Sequence, residues 1–183
     1  MDLQSVFRNK KYLFLDRDGV INKRNPHGYI TKWEDFIFLE GVLESLKAFS
    51  SFFQRIIIIT NQQGIGKGLM TEMELKNIHE KLKDTVTNHG GRIDAIYHCP
   101  VLKQKSNNCR KPDIKMAQKA QEEFPEIDFA KSIMVGDTES DMLFAQNAGM
   151  SSVLLENEYT TEADKKFATY FISSLNDLSN LLK

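Results

Sequence analysis

Cysteine is nearly absent from this chain: Cys99 and Cys109 are the two in 183 residues. That is too few for a disulfide framework, so two free thiols in a reducing cytoplasm are expected. A dominant charge sign is missing too. The 24 Lys and Arg residues stand against 25 Asp and Glu, a formal net charge of -1, which supplies no overall pull toward nucleic acid or an anionic membrane. Neither partner is expected, and any affinity for phosphate has to be local. No stretch approaches the roughly 18 apolar residues of a membrane span, and Met1 to Lys11 lacks the apolar centre of a signal peptide. There is no internal repeat, low-complexity tract or linker, and no apolar stripe that suggests self-association. One domain over residues 1–183, monomeric and with one sizeable core, is expected.

What is present alternates regularly. The short apolar runs 12–15, 56–59, 93–97 and 133–135 read as buried strands, and 152–155 as a fifth. Between them lie amphipathic stretches at helical spacing: 41–53, with Val42, Leu43, Leu46 and Phe49 on one face, then 114–124 and 140–148. Thr71-Glu72-Met73-Glu74 is a capping box that opens another helix, which Gly90-Gly91 ends. A small helical region closes the chain. This alternation predicts an α/β fold, a parallel sheet covered by helices on both faces. Residues 17–40 and 99–112 read as long loops, functional or mobile, at one edge of the sheet.

Polar residues gather where strands end. Asp16 and Asp18 follow the first strand, Thr60 and Asn61 the second, and Gly136-Asp137 the fourth. Ligands of open α/β sheets bind outside those carboxyl ends. A carboxylate such as Asp16 can attack phosphorus, and Asp18 can protonate the leaving alcohol and then deprotonate water. Asp16 and Asp137 suit a hard oxygen-ligated cation such as Mg²⁺. Thr60 offers a hydroxyl to a phosphate oxygen, Lys111 an ammonium for transferring charge, and Arg110 a fork for a second anionic group. Each also has an ordinary reading. An Asp after a strand is often a turn former, Asp141 can merely begin its helix, Arg110-Lys111 can be a solvated pair, and 64–68 a flexible turn. Their joint occurrence in this order lowers those readings.

Together these motifs, from Tyr12 to Leu155, resemble the haloacid dehalogenase superfamily of phosphohydrolases, whose fold is a three-layer α/β/α Rossmann-like sheet. The resemblance implies a nucleophile at Asp16, an acid/base at Asp18, phosphoryl contacts from Thr60 and Lys111, and Mg²⁺ held by Asp16, Asp137 and the Asp18 carbonyl. Asp141 would support the metal from behind. The longer strings Asp16 to Asn22, His27-Gly28-Tyr29-Ile30, Thr60 to Gly68 and Cys109 to Pro112 are similar to the D-glycero-manno-heptose bisphosphate phosphatases. The histidinol-phosphate phosphatases share part of this pattern. The heptose branch lacks a large cap domain, and membership implies removal of the 7-phosphate from a heptose 1,7-bisphosphate. It implies substrate contacts from His27, Gly28, Tyr29, Asn61, Gln62, Gln63 and Arg110, with Arg110 on the retained phosphate.

Two positions depart from that family. Its zinc loop of Cys-x-His and Cys-x-Cys reads here Cys99, Val101, Asn107 and Cys109, half the ligands, so Zn²⁺ is not expected. Thr138 stands where a Lys commonly follows Asp137. A histidinol-phosphate or generalist sugar phosphatase, a phosphoacceptor signalling module and a silent binding protein remain as alternatives.

Overall fold

Alternating residues of the central strands are apolar on both faces, which requires cover on both sides of the sheet. The computed structural model describes residues 2–25, 27–104 and 108–182. In chain order the elements are α1 (Leu3–Arg8), β1 (Tyr12–Leu15), α2 (Val42–Phe52), β2 (Arg55–Asn61), α3 (Gln63–Gly66), α4 (Glu72–Asn88) and β3 (Ala95–Cys99). There follow α5 (Lys115–Glu123), β4 (Ser132–Gly136), α6 (Glu139–Ala148), β5 (Ser151–Leu155), α7 (Glu162–Lys165), β6 (Tyr170–Ile172) and α8 (Leu175–Asn180).

All strand pairs are parallel, in the order β3-β2-β1-β4-β5-β6. Leu13, Leu15, Ile56, Ile58, Ile133 and Val135 face one layer, packed against Phe7, Leu46, Phe49, Ile78, Leu82 and Leu178 of α1, α2, α4 and α8. Tyr12, Phe14, Ile57, Ile59 and Met134 face the other, against Met116, Ala117 and Ala120 of α5 and Phe144 and Ala145 of α6. This is the three-layer Rossmann-like fold. The strand order reverses between β1 and β4, so a crevice opens beyond their carboxyl ends. Among the described residues no large cap domain covers it, and no helix is long and apolar enough to cross a membrane.

Several expectations shift. The third strand begins at Ala95 rather than Ile93, because the chain leaving Gly91 first makes a turn anchored by Asp94, which exchanges hydrogen bonds with the Ile56 backbone. Cys99 is therefore the last residue of a strand, opposite Asn61, and not the first of a loop. A short edge strand, β6, interrupts what reads as a purely helical C-terminal region. Residues 17–40 are more ordered than a loop: Asn22 bridges to Asp18 and Phe38, and Trp33–Asp35 forms a 3-10 turn.

The cysteines need the largest correction. Cys99 and Cys109 are joined in a disulfide, with their Cα atoms 5.5 Å apart, and are not free thiols. The reason lies in chain reversal. Asn61, neighbour of Cys99 in the sheet, accepts a hydrogen bond from the Lys111 backbone N–H at 3.0 Å, which returns the segment carrying Cys109 to the end of β3. The bond occupies both sulfurs, so neither is a thiolate ligand for zinc. Asn107 lies outside the described residues.

Residues 2–8 read as unremarkable mixed charge, yet they form a capped helix that docks Phe7 among Phe49, Phe52 and Phe53. Phe7 is fully buried. Phe7→Ala is expected to lower the unfolding free energy by about 3–5 kcal/mol in urea titrations. An unchanged midpoint would mean that α1 contributes nothing to the core.

Candidate active site

The ends of β1 and β4 lie side by side, and Asp16 N–H bonds to the Val135 carbonyl at 2.9 Å. Asp16 and Asp137 are thereby carried to the same point of the crevice. Two glycines make the approach possible. At Gly136 an added Cβ would meet the Asp141 side chain at 2.1 Å, so the first turn of α6 closes down on the strand end. At Gly19, whose φ is +100°, a Cβ would sit 1.9 Å from the Asp137 carboxylate, so the Asp18-Gly19 backbone runs directly against that group. Carboxylate oxygens of Asp16, Asp137 and Asp141 lie within 4.8 Å of one another, and all three residues are buried. Oxygen donors at this spacing, beside the Asp18-Gly19 peptide, fit a hard divalent cation.

Lys111 bridges two members of this cluster, Asp16 and Asp141. Its ammonium contacts Asp16 Oδ1 at 2.5 Å, Asp141 Oδ1 at 2.6 Å and the Ile59 carbonyl at 2.8 Å. Burial pushes the Asp16 carboxyl up to about 6 despite Lys111, with Asp141 and Asp18 adding to the rise. Asp137 is pushed to about 8 by burial and then by Asp16 and Asp141, although Arg24 opposes this. Asp141 also fixes the first turn of α6. Its Oδ2 accepts from the backbone N–H groups of Asp137 and Thr138, at 3.2 and 3.1 Å, and from the Thr138 hydroxyl at 2.6 Å. Thr138-x-x-Asp141 is thus a capping pair, a signal present in the sequence but unread there.

Asp18 stands apart from this cluster. Burial opposes its ionisation, but Arg17, followed by hydrogen bonds from Arg17, Asn22 and Gln62, more than offsets that and lowers its pKa. Arg17 Nη2 reaches both oxygens at 2.9 Å, Asn22 reaches one at 2.9 Å and Gln62 the other at 2.8 Å. Arg17 is fully buried and also faces His79 at 3.2 Å. Burial first, then Arg17, depress the His79 imidazole to about 3, so it is neutral. Sequence reasoning does not single out Arg17, Asn22 or His79 as site residues. The first two lie inside the Asp16 to Asn22 string, while nothing local marks His79.

A cavity of about 500 Å³ opens above these groups. It brings together Asp16, Asp18, Thr60, Lys111 and Asp141 with His27, Gly28, Tyr29, Asn61, Gln62, Gln63 and Arg110. Two of these are committed elsewhere. The Asn61 amide holds the Lys111 backbone on both sides, and buried Gln62 donates to Asp18 and Thr60. Both position other groups while they line the cavity. Arg110 is the reverse case: its Nη1 is buried with no hydrogen-bond partner among the described residues. Lys67, placed over the Tyr29 ring at 5.3 Å, and Arg24, whose Nη2 lies 2.8 Å from Asp137 Oδ1, also line the cavity, and sequence reasoning misses both.

Residues 11–172 match the family model described as polynucleotide kinase 3 phosphatase. A D-glycero-beta-D-manno-heptose-1,7-bisphosphate 7-phosphatase of Vibrio cholerae is 35% identical over 94% of this chain and 96% of its own. The chain belongs to the haloacid dehalogenase-like phosphatases. A Campylobacter jejuni relative, 38% identical over 94% of this chain and 96% of its own, is a D-glycero-alpha-D-manno-heptose-1,7-bisphosphate 7-phosphatase. The crystal structure of D,D-heptose 1,7-bisphosphate phosphatase from B. bronchiseptica, complexed with magnesium and phosphate, superposes with a TM-score of 0.81 at 27% identity. That match covers 94% of this chain and 97% of the other.

The raised carboxyls of this phosphatase carry a sign. Unfolded, an Asp titrates near 4; folded, Asp16 and Asp137 keep their protons up to about 6 and about 8. The metal-free folded state therefore binds more protons across that window, and these groups cost stability as pH rises through it. A cation bound between them removes the cost, and at low pH it must displace protons. The gain in Tm on adding Mg²⁺ is expected to be small at pH 5 and larger by roughly 3–6 °C at pH 8.5, read by scanning calorimetry. A gain independent of pH would place the ion away from these carboxylates.

Proposed function

We propose that this phosphatase removes the 7-phosphate of D-glycero-D-manno-heptose 1,7-bisphosphate through an aspartyl-phosphate at Asp16. One observation carries the reading. Asp16 and Asp141, both paired with Lys111, line a cavity that also presents Arg110, whose Nη1 is buried without a hydrogen-bond partner among the described residues. One end suits phosphoryl transfer, and the other has room and charge for a second phosphate.

Lys111 engages Oδ1 of Asp16 and favours its ionised form, so at neutral pH the carboxylate is available to attack. Attack on phosphorus forms the acyl phosphate as the bond to the sugar oxygen breaks, and that oxygen takes a proton from Asp18. Asp18 is ionised at rest; a phosphate dianion arriving beside it raises its proton affinity. In the second half water attacks the acyl phosphate, Asp18 takes the proton back, and orthophosphate leaves. Thr60 lies beside the attacked group and donates its hydroxyl to a phosphate oxygen. Asp16, Asp137 and the Asp18 carbonyl would hold Mg²⁺, which offsets phosphate charge as a Lewis acid. Arg17, Asn22 and Gln62 keep Asp18 aimed, while Asp141 keeps Lys111 in place.

Arg110 is the proposed seat of the phosphate that stays. A buried guanidinium nitrogen without a partner is costly, and an anionic group of the substrate would satisfy it. Relatives that act on the alpha and on the beta anomer are similarly close to this chain.

Asp16→Asn keeps the shape and removes the nucleophile. Its kcat on the heptose bisphosphate is expected to fall on the order of 10⁴-fold or more with folding intact by circular dichroism. Residual turnover near wild type would eliminate Asp16 from the mechanism. For Arg110→Ala, kcat/KM on the 1,7-bisphosphate is expected to drop roughly 10- to 100-fold, against little change on heptose 7-phosphate. Equal losses on both substrates would contradict the grip on the second phosphate.

A further inference from the structure

Four acidic side chains crowd the site, Asp16, Asp18, Asp137 and Asp141, and three cationic side chains contact them. Those cations are not equivalent. Arg17 pairs with Asp18 with its side chain 0% exposed, and Lys111, bound to Asp16 and Asp141, is 2% exposed. Arg24 pairs with Asp137 and is 33% exposed. It comes from the non-regular segment after Asn22, and among the described residues its guanidinium bonds to Asp137 alone.

Arg24 Nη2 lies 2.8 Å from Oδ1 and 2.7 Å from Oδ2 of Asp137, a carboxylate with no solvent-exposed side-chain surface. Asn157 approaches Oδ2 at 3.3 Å. A divalent ion held by Asp16 and Asp137 would compete with the guanidinium for the Asp137 carboxylate, and the two cations would repel at that range. Arg24 also lines the cavity that holds Arg110. A guanidinium that left Asp137 would stay beside the same cavity as Arg110.

We propose that Arg24 is a displaceable counter-cation, seated on Asp137 until a divalent ion arrives and then turned into the cavity to hold the anionic far end of the substrate. Metal binding and substrate grip are thereby coupled through one side chain: the ion releases the arginine that completes the anion site. The substrate half rests on the bisphosphate reading above; the metal half does not.

Arg24→Gln separates the two. Mn²⁺ titrated alone into the variant and followed by electron paramagnetic resonance is expected to bind about 5- to 20-fold more tightly than to wild type, since no internal cation competes. Unchanged or weaker binding overturns the inference. If the variant fails to fold, a crystal structure of the wild-type protein with Mg²⁺ decides instead: the guanidinium should have left Asp137, and its persistence there overturns displacement. In the second arm, the preference for heptose 1,7-bisphosphate over heptose 7-phosphate, as a ratio of kcat/KM, is expected to fall about 10-fold in Arg24→Gln. Tighter Mn²⁺ with an unchanged ratio refutes the substrate half. A protein that hydrolyses neither heptose phosphate while the Mn²⁺ effect holds instead sinks the bisphosphate reading.

Discussion

The ammonium of Lys111 is surrounded by two carboxylates and a carbonyl at 2.5 to 2.8 Å, almost out of reach of water. A charge so buried is tolerable only when paired, and the carboxylates beside it are tolerable for the same reason. Because its partners come from the ends of β1 and β2 and the first turn of α6, this contact ties three parts of the fold to one point. It also sets the direction in which the chemistry can run. Lys111 draws Asp16 toward its anionic form, while burial and neighbouring acids push the other way. The result is a carboxylate kept charged at neutral pH yet poorly solvated, which suits a nucleophile.

Around that centre the supporting groups divide by rigidity. Asp18 is fixed by Arg17, Asn22 and Gln62, and Asp141 by the turn it caps. These positioning contacts come from buried side chains whose rotamers are locked by packing, and such support keeps reacting groups in register. The opposite wall is different. His27 and Gly28 are exposed, Tyr29 is half-buried, and they come from an irregular segment rather than from the sheet. The cavity thus has a rigid wall of strand ends and a wall of irregular chain, and in α/β enzymes loops of this kind usually carry specificity.

The disulfide belongs to the first group. It joins the end of β3 to the residue just before Arg110, so the segment that delivers both Arg110 and Lys111 is tied at the sheet on one side and by Asn61 on the other. Loop closure of this kind reduces the freedom of the unfolded chain and keeps Lys111 near the strand ends.

Much of this is legible in one dimension. The apolar runs and capping residues mark the layers, because burial on both sheet faces leaves a periodicity that survives in the sequence. Asp16, Asp18, Thr60, Lys111 and Asp137 stand out because they fall at or beyond the ends of strands. Strand ends in a parallel sheet share one edge whatever their order, so convergence is implied. What the chain order could not carry was distance across the fold. The bond between Cys99 and Cys109 depends on a loop reversing onto β3, and His79 meets Arg17 from a helix 62 residues away. The contacts of Asn61 with Lys111 and of Gln62 with Asp18 likewise span the fold. Arg24 had no motif at all; only folding sets it on Asp137. Sequence alone determined which chemistry this protein has, since that is a matter of residue type and element ends. The tertiary structure decided which groups hold, aim or neutralise the others, because charges and hydrogen bonds act through space and not along the chain.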